Sequence, residues 1–350
     1  MVTFLLAAAV IHAADWNFKG FFNTNFEYEA RQGKFSSFDP FIFAVITDVN
    51  FDEKTLVRLQ VNYEHGPYIE LETENNGGKE LESAAYGEIS ATSAYVQYTV
   101  AEYLRICVGK FFAPIGFYNQ IGYSPTYASL KTPAASVYKK GGGPSEDLLF
   151  FQRQAAGLWL NGNVSVLGQY LSYDAYYVNG RAFEIQTDVN SHKSIGGRLK
   201  YEINTGGLSI VPVVSLYNDE YNAGALDAPD YKAQFSVIPA LEINAGDFNL
   251  KGEVSLSRIS KGGAAEKEFT AFYAETQYTF AEMFTPFLRF EFLEPDTKTA
   301  GDRVMESTAG ILYHLRLWTS LIKAQVRYHQ SENDSSPSYL IYGAGVALGF

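Results

Sequence analysis

Read in steps of two, the chain from Trp16 onward sorts into segments whose odd and even positions differ in character. Between Trp16 and Tyr28, one side carries Trp16, Phe18, Gly20, Phe22, Thr24, Phe26 and Tyr28, while Asn17, Lys19, Asn23, Asn25 and Glu27 mostly take the other. Successive side chains of an extended chain point to opposite faces, so this pattern predicts a strand with one apolar and one polar side. The alternation returns with Phe41, Phe43, Val45, Thr47, Val49 and Phe51 against Asp48 and Asn50, and again with Val57, Leu59, Val61 and Tyr63 against Arg58, Gln60, Asn62 and Glu64. Further strands are expected over 89–100, 104–112, 152–160, 164–176, 194–203, 208–217, 231–243, 248–258, 269–280, 285–293, 304–313, 318–329 and 339–350, which makes sixteen.

The connections say more than any single strand. Every second one is short and rich in turn formers: Asp52-Glu53-Lys54, Ala101-Glu102-Tyr103, Asn161-Gly162-Asn163, Asn204-Thr205-Gly206-Gly207, Asn244-Ala245-Gly246-Asp247, and the segments around Ala281-Glu282-Met283 and His314-Leu315-Arg316. The others, 30–40, 64–88, 113–151, 177–193, 218–230, 259–268, 294–303 and 330–338, are longer and more polar. Tight turns at one end and long loops at the other predict an all-β, antiparallel, up-and-down transmembrane barrel of sixteen strands, with short periplasmic turns and long extracellular loops. A sandwich with Greek-key crossings has no reason to keep that alternation. An even strand count places both ends of the barrel on the short-turn side.

Composition narrows the class. Mean hydropathy is −0.11, and apart from the first residues there is no run of about eighteen apolar residues, so spanning helices are not expected. Aromatics make up 15% of the chain, enough for two interfacial girdles around a barrel. A net charge of −12 argues against nucleic-acid or anionic-surface partners. The one cysteine, Cys107, has no partner for a disulfide or a thiolate metal site, and neither a metal nor another cofactor is expected.

At the C-terminus, Leu340, Tyr342, Ala344, Val346, Leu348 and Phe350 share one face, and Gly343, Gly345, Ala347 and Gly349 share the other. The strand ends on an aromatic with no polar tail to shield its edge, so its edge is expected to pair with the first strand and close the barrel. This ending resembles the last strand of bacterial outer-membrane barrels, in which a terminal Phe is habitual. The resemblance implies a Gram-negative outer membrane, contact with its lipids and lipopolysaccharide, and recognition of Phe350 by the barrel-assembly machinery. Residues 1–14, an apolar run followed by Ala13 and Ala14, read as a signal peptide without a basic n-region, with the barrel over 15–350.

A closed sheet of about sixteen strands leaves an aqueous bore. The inward faces are expected to carry Arg58, Arg105, Arg198, Lys200, Lys232, Lys251, Arg289, Lys323 and Arg327, interleaved with Glu202, Glu242, Glu253, Glu275 and Glu291. Several opposite charges sit two apart on one face, as in Lys200 with Glu202, Lys251 with Glu253 and Arg289 with Glu291. Such neighbours either brace and solvate the lumen or, at its narrowest point, select what passes. The longest connection, with Tyr118, Tyr123, Tyr127, Tyr138, Lys131, Lys139, Lys140, Gly141-Gly142-Gly143, Glu146 and Asp147, is the candidate constriction. Folded inward, it shields its aromatics from water and sets its lysines against the wall.

Gly109-Lys110, the aromatics Phe111 and Phe112, and then Pro114-Ile115-Gly116 resemble the phosphate-selective porin family, as do Thr308–Tyr313 and Ala324–Tyr328 before the terminal aromatic. The resemblance implies a trimeric sixteen-stranded porin that passes small anions such as phosphate. The chain departs from it in charge: Glu70, Glu72, Glu74, Glu80, Glu82 and Glu88 in one long loop and Asp219, Glu220, Asp227 and Asp230 in another would repel anions at the mouth, within the roughly 8 Å that salt allows. Two other readings compete. A structural or adhesive barrel would use the acidic loops to bind a partner. A barrel enzyme needs a catalytic set, but the chain has no Gly-x-Ser-x-Gly and no His-x-x-x-His, only a loop pair such as Asp188 and His192.

Overall fold

The computed structural model describes residues 14–30, 37–38, 42–64, 68–73, 79–85, 88–120, 128–130, 151, 153–180, 192–222, 231–261, 264–316, 319–332 and 338–350. They form a 17-stranded sheet made of sixteen long strands and the two-residue strand Ser37–Phe38. The long strands are β1 (Asp15–Glu29), β2 (Ile42–Asn50), β3 (Thr55–Glu64), β4 (Glu88–Ala101), β5 (Leu104–Phe112) and β6 (Gln154–Val166). They continue with β7 (Gln169–Asn179), β8 (Lys193–Thr205), β9 (Leu208–Asn222), β10 (Tyr231–Ala245) and β11 (Phe248–Lys261). The last five are β12 (Ala264–Tyr278), β13 (Phe284–Glu294), β14 (Val304–Leu315), β15 (Ser320–Ser331) and β16 (Tyr339–Gly349).

Each long strand pairs antiparallel with its sequence neighbours, and β16 pairs with β1 from Phe21 opposite Gly349 to Glu29 opposite Ile341. Two backbone hydrogen bonds complete the seam, Gly20 N–H to Phe350 O at 2.8 Å and Phe350 N–H to Gly20 O at 2.9 Å. The sheet is therefore a closed up-and-down barrel, as the unshielded final strand predicts, and it has no open edge.

Its outer face is a membrane belt. Leu59, Val96, Val108, Leu199, Val214, Leu256, Leu288, Ile311 and Val326 project outward from the middle of their strands and are exposed. Toward the turn end stand Trp16, Phe18, Tyr103, Tyr278, Phe280 and Phe350, and toward the loop end Tyr28, Tyr177, Phe235, Tyr328 and Tyr342, all exposed. An apolar band between two aromatic girdles is the outside of a transmembrane barrel. The inner face holds the opposite set, with Asp48, Asn62, Ser215, Gln234, Glu275, Arg289 and Arg327 all buried.

Three connections differ from the sequence-based expectation. Asn161-Gly162-Asn163 lies inside β6, opposite Asp174, Tyr173 and Ser172, and the turn falls at Leu167-Gly168, where φ is 53° and 75°. The inward Asn161 takes a hydrogen bond from Arg105 Nη1 at 3.3 Å, so an apparent turn signal serves as polar lumen wall. Gly162 is required for another reason: a Cβ there would strike the Tyr103 carbonyl. The expected loop 259–268 is largely strand, since β11 runs to Lys261 and β12 begins at Ala264, with a bulge between Ile259 and Ser260. Within 64–88, a separate hairpin pairs Tyr68–Thr73 with Lys79–Ala85.

The turn after β2 shows how a short connection is held. Asp52 Oδ1 accepts from the N–H groups of Lys54 at 2.8 Å and Thr55 at 2.6 Å. The Lys54 N–H, then the Thr55 hydroxyl, favour the ionised carboxyl and hold its pKa below the ordinary value. A lowered carboxyl pKa means that its contribution is present at neutral pH and fades as pH falls through the lowered value. Protection of the Lys54 and Thr55 amides against exchange, relative to the unstructured rate at the same pH, is accordingly expected to fall in acid, and Asp52→Asn should remove that pH dependence.

Candidate functional site

Past Phe112 the chain leaves the wall and turns into the barrel. Gly116 makes the turn with φ 56°, and any Cβ there would also collide with the Glu253 carboxylate, so glycine is needed twice over. The inner wall receives this segment through named bonds. Ser215 Oγ accepts from Gly116 N–H at 3.1 Å, and Glu253 accepts from Phe117 N–H. Arg198 donates to Gly116 O at 3.0 Å and Gln120 Oε1 at 2.6 Å, while Asp174 accepts from its Nε at 2.9 Å.

Tyr118 is the anchor, 1% exposed. Its hydroxyl donates to Glu275 Oε1 at 2.9 Å and accepts from Arg289 Nη2 at 3.3 Å. Lys251 Nζ lies 4.9 Å from its ring centre, and Tyr273 meets it edge-on at 5.5 Å. Buried charges need such partners, because desolvation of an unpaired one is costly.

The other described piece of the loop reaches farther round the wall. Ala128 packs with Phe287 of β13 and Leu312 of β14. Gln325 Oε1 on β15 accepts from Ser129 Oγ at 3.1 Å and Leu130 N–H at 3.0 Å. Leu130 rests on β16, where a Cβ added to Gly343 or Gly345 would come within 2.7 Å of it. The described residues of the third loop, 113–120 and 128–130, are thus folded inward, touching strands from β8 to β16.

Part of the inner wall is lined by apolar side chains as well as by charges. Ile115 and Tyr118 join Tyr95, Phe111, Tyr176, Tyr217, Ile238, Ile259 and Tyr273 in an apolar cluster on the inner side of the β4–β13 wall. On this side the described loop residues pack directly on the wall.

The predicted lumen charges fall into local sets. Arg58 donates two bonds to Asp48, at 2.6 and 2.7 Å, and Lys19 joins at 3.0 Å. Lys200 pairs with Glu202 at 2.6 Å, as the two-apart spacing suggests. Lys251 turns instead to Glu275 across the ladder at 3.3 Å, leaving Glu253 to hold the loop. Arg289 bridges Glu275 and Glu291 with its side chain fully enclosed. Arg327 meets Glu27 at 3.3 Å, Glu242 accepts from Asn249 at 2.8 Å, and Arg105 bonds Asn161. Lys323 is 3% exposed and Lys232 partly buried. Lys131, Lys139, Lys140, Glu146 and Asp147 lie outside the described residues. The carboxylates Glu27, Asp48, Asp174 and Glu306 belong to the same inner face; the period-two alternation carries them too, but only across-strand register shows which cation each faces.

No family model matches the chain, and no curated protein matches it. Solved structures do. The outer membrane channel DcaP of Acinetobacter baumannii is 12% identical over 97% of this chain and 98% of that one, with a TM-score of 0.64. The anion-selective porin from Comamonas acidovorans is 11% identical over 96% and 100%, with a TM-score of 0.63. OmpT, an outer membrane protein of Vibrio cholerae solved in a trimer form, is 10% identical over 97% and 100%, with a TM-score of 0.60. At these identities the likeness is one of architecture: this chain has the fold of outer-membrane porins.

Proposed function

We propose that the barrel is a porin of the Gram-negative outer membrane, a passive diffusion channel for small hydrophilic solutes and ions. One observation carries this reading: a closed barrel, apolar outside and charged inside, holds the described residues of its longest loop against its own inner wall. A loop bonded there narrows a channel, whereas a surface lid has no reason to engage β12 and β15. Stepwise conductance of detergent-purified protein in planar bilayers is the test, and a folded but insulating protein would overturn the reading. That outcome would favour a structural or adhesive barrel, for which the apolar cluster on the β4–β13 side speaks.

Ion preference rests with the loop in this proposal. Arg58, Arg198, Arg289 and Arg327 each face a carboxylate, so these four arginines offer little unbalanced charge. Lys131, Lys139 and Lys140 then tip the bore toward anions such as phosphate. Replacing all three by Glu is expected to move the reversal potential in a salt gradient toward cations; an unchanged potential would place them away from the ion path.

The described histidines support a channel over a catalyst. His192 pairs with Glu220 at 3.0 Å, His329 with Glu306 at 2.8 Å, and His314 bonds Thr285 at 3.0 Å. These are wall and rim contacts. Export by residues 1–14, engagement of Phe350 by the assembly machinery, lipopolysaccharide around the belt and a homotrimer complete the proposal.

A further inference from the structure

On the inner wall from β14 to β1, several enclosed polar atoms have no partner, a rare condition in a folded protein. Arg327, 6% exposed, engages Glu27 through Nη2 alone, and its Nε and Nη1 are unpaired. Thr308, directly across the ladder from Arg327, has an unpaired hydroxyl and is 2% exposed. Gln325, 5% exposed, is fixed by the two loop donors on its Oε1, which leaves its Nε2 buried and unpaired.

The complement stands on the far side of β16. Asn23 and Asn25 of β1 each carry an unpaired, enclosed Oδ1, and Asn25 is 5% exposed. Between the two groups lie Gly343, paired with Gln325, and Gly345, paired with Lys323 and Asn25. Neither glycine raises a side chain. Donors on β15 and acceptors on β1 therefore flank the Leu130 side chain, which rests on this glycine floor, with two strand spacings, about 10 Å, between their backbones.

We infer that this wall is a binding site for a small carboxylate that also carries hydroxyl or ammonium donors. The inference rests on the porin reading and names a solute class for it. The carboxylate takes the Arg327, Gln325 and Thr308 donors, the donors of the solute satisfy Asn23 and Asn25, and Leu130 on the glycine floor meets its carbon skeleton. Glu27 and Glu306 on the same wall oppose a bare multivalent anion, which sets this class apart from phosphate.

The test is current through the full chain in planar bilayers as the concentration of sodium lactate, acetate or phosphate is raised. Lactate current is expected to saturate while acetate current rises linearly. Glu27→Gln with Arg327→Gln, which avoids stranding one buried charge, should raise the half-saturating lactate concentration about tenfold or more. Thr308→Val, which keeps that ion pair, should raise it several-fold. Lactate current that stays linear in a protein conducting potassium chloride overturns the inference alone, as do equal saturation by acetate, tighter saturation by phosphate, or variants that behave like the parent. A protein that also insulates in potassium chloride overturns the porin reading with it.

Discussion

Arg289→Ala is expected to destabilise the barrel by roughly 3–5 kcal/mol, the usual consequence of breaking a buried ion pair from one side. Here two carboxylates lose their guanidinium at once: Glu275 at 0% and Glu291 at 2% exposure. Tyr118 loses the Arg289 donor on its hydroxyl as well, so the effect reaches the loop. Thermal unfolding in detergent, followed by circular dichroism at a fixed heating rate, reads the loss. Arg289→Met combined with Glu275→Gln removes charge from both sides and should recover much of it. An Arg289→Ala protein that unfolds with the parent would show that the network does not hold the wall.

Gly345→Leu is expected to raise single-channel conductance by about twofold, on the argument that a channel's narrowest point dominates its flow. Even a Cβ at this position would lie 2.7 Å from Leu130 Cδ2 and closer still to Asn25 Oδ1. A full leucine displaces Leu130 from its seat. The neighbouring Ala344→Leu is the control, because Ala344 points outward into the apolar belt. Conductance unchanged in Gly345→Leu, or raised equally by Ala344→Leu, would sever Leu130 from the ion path.

What the sequence discloses follows from which forces are local. Alternation is local, so strands such as Trp16–Tyr28 and the two-sided final strand are visible before any coordinates. Turn chemistry is local too, yet it misleads at Asn161-Gly162-Asn163. There the asparagines find partners across the sheet, and the chain turns instead at a leucine in the left-handed region. The small face of Gly343 and Gly345 is plain in the sequence, but its use as the seat of Leu130 depends on a contact between distant segments. The same holds for Lys251 and Glu253, adjacent on one face yet committed to different partners. A linear pattern gives the facing of a side chain; partner choice belongs to the closed cylinder.

The seam between β1 and β16 bears on how such a chain matures. Its pairing joins residues at nearly opposite extremes of the sequence, so the ring is among the least local contacts available and is disfavoured kinetically until the final strand exists. A nascent or truncated product keeps two raw sheet margins and has no way to seal itself. Synthesis of β16 and closure of the ring thus become one checkpoint, and any factor that grips a free margin can distinguish closed barrels from open ones.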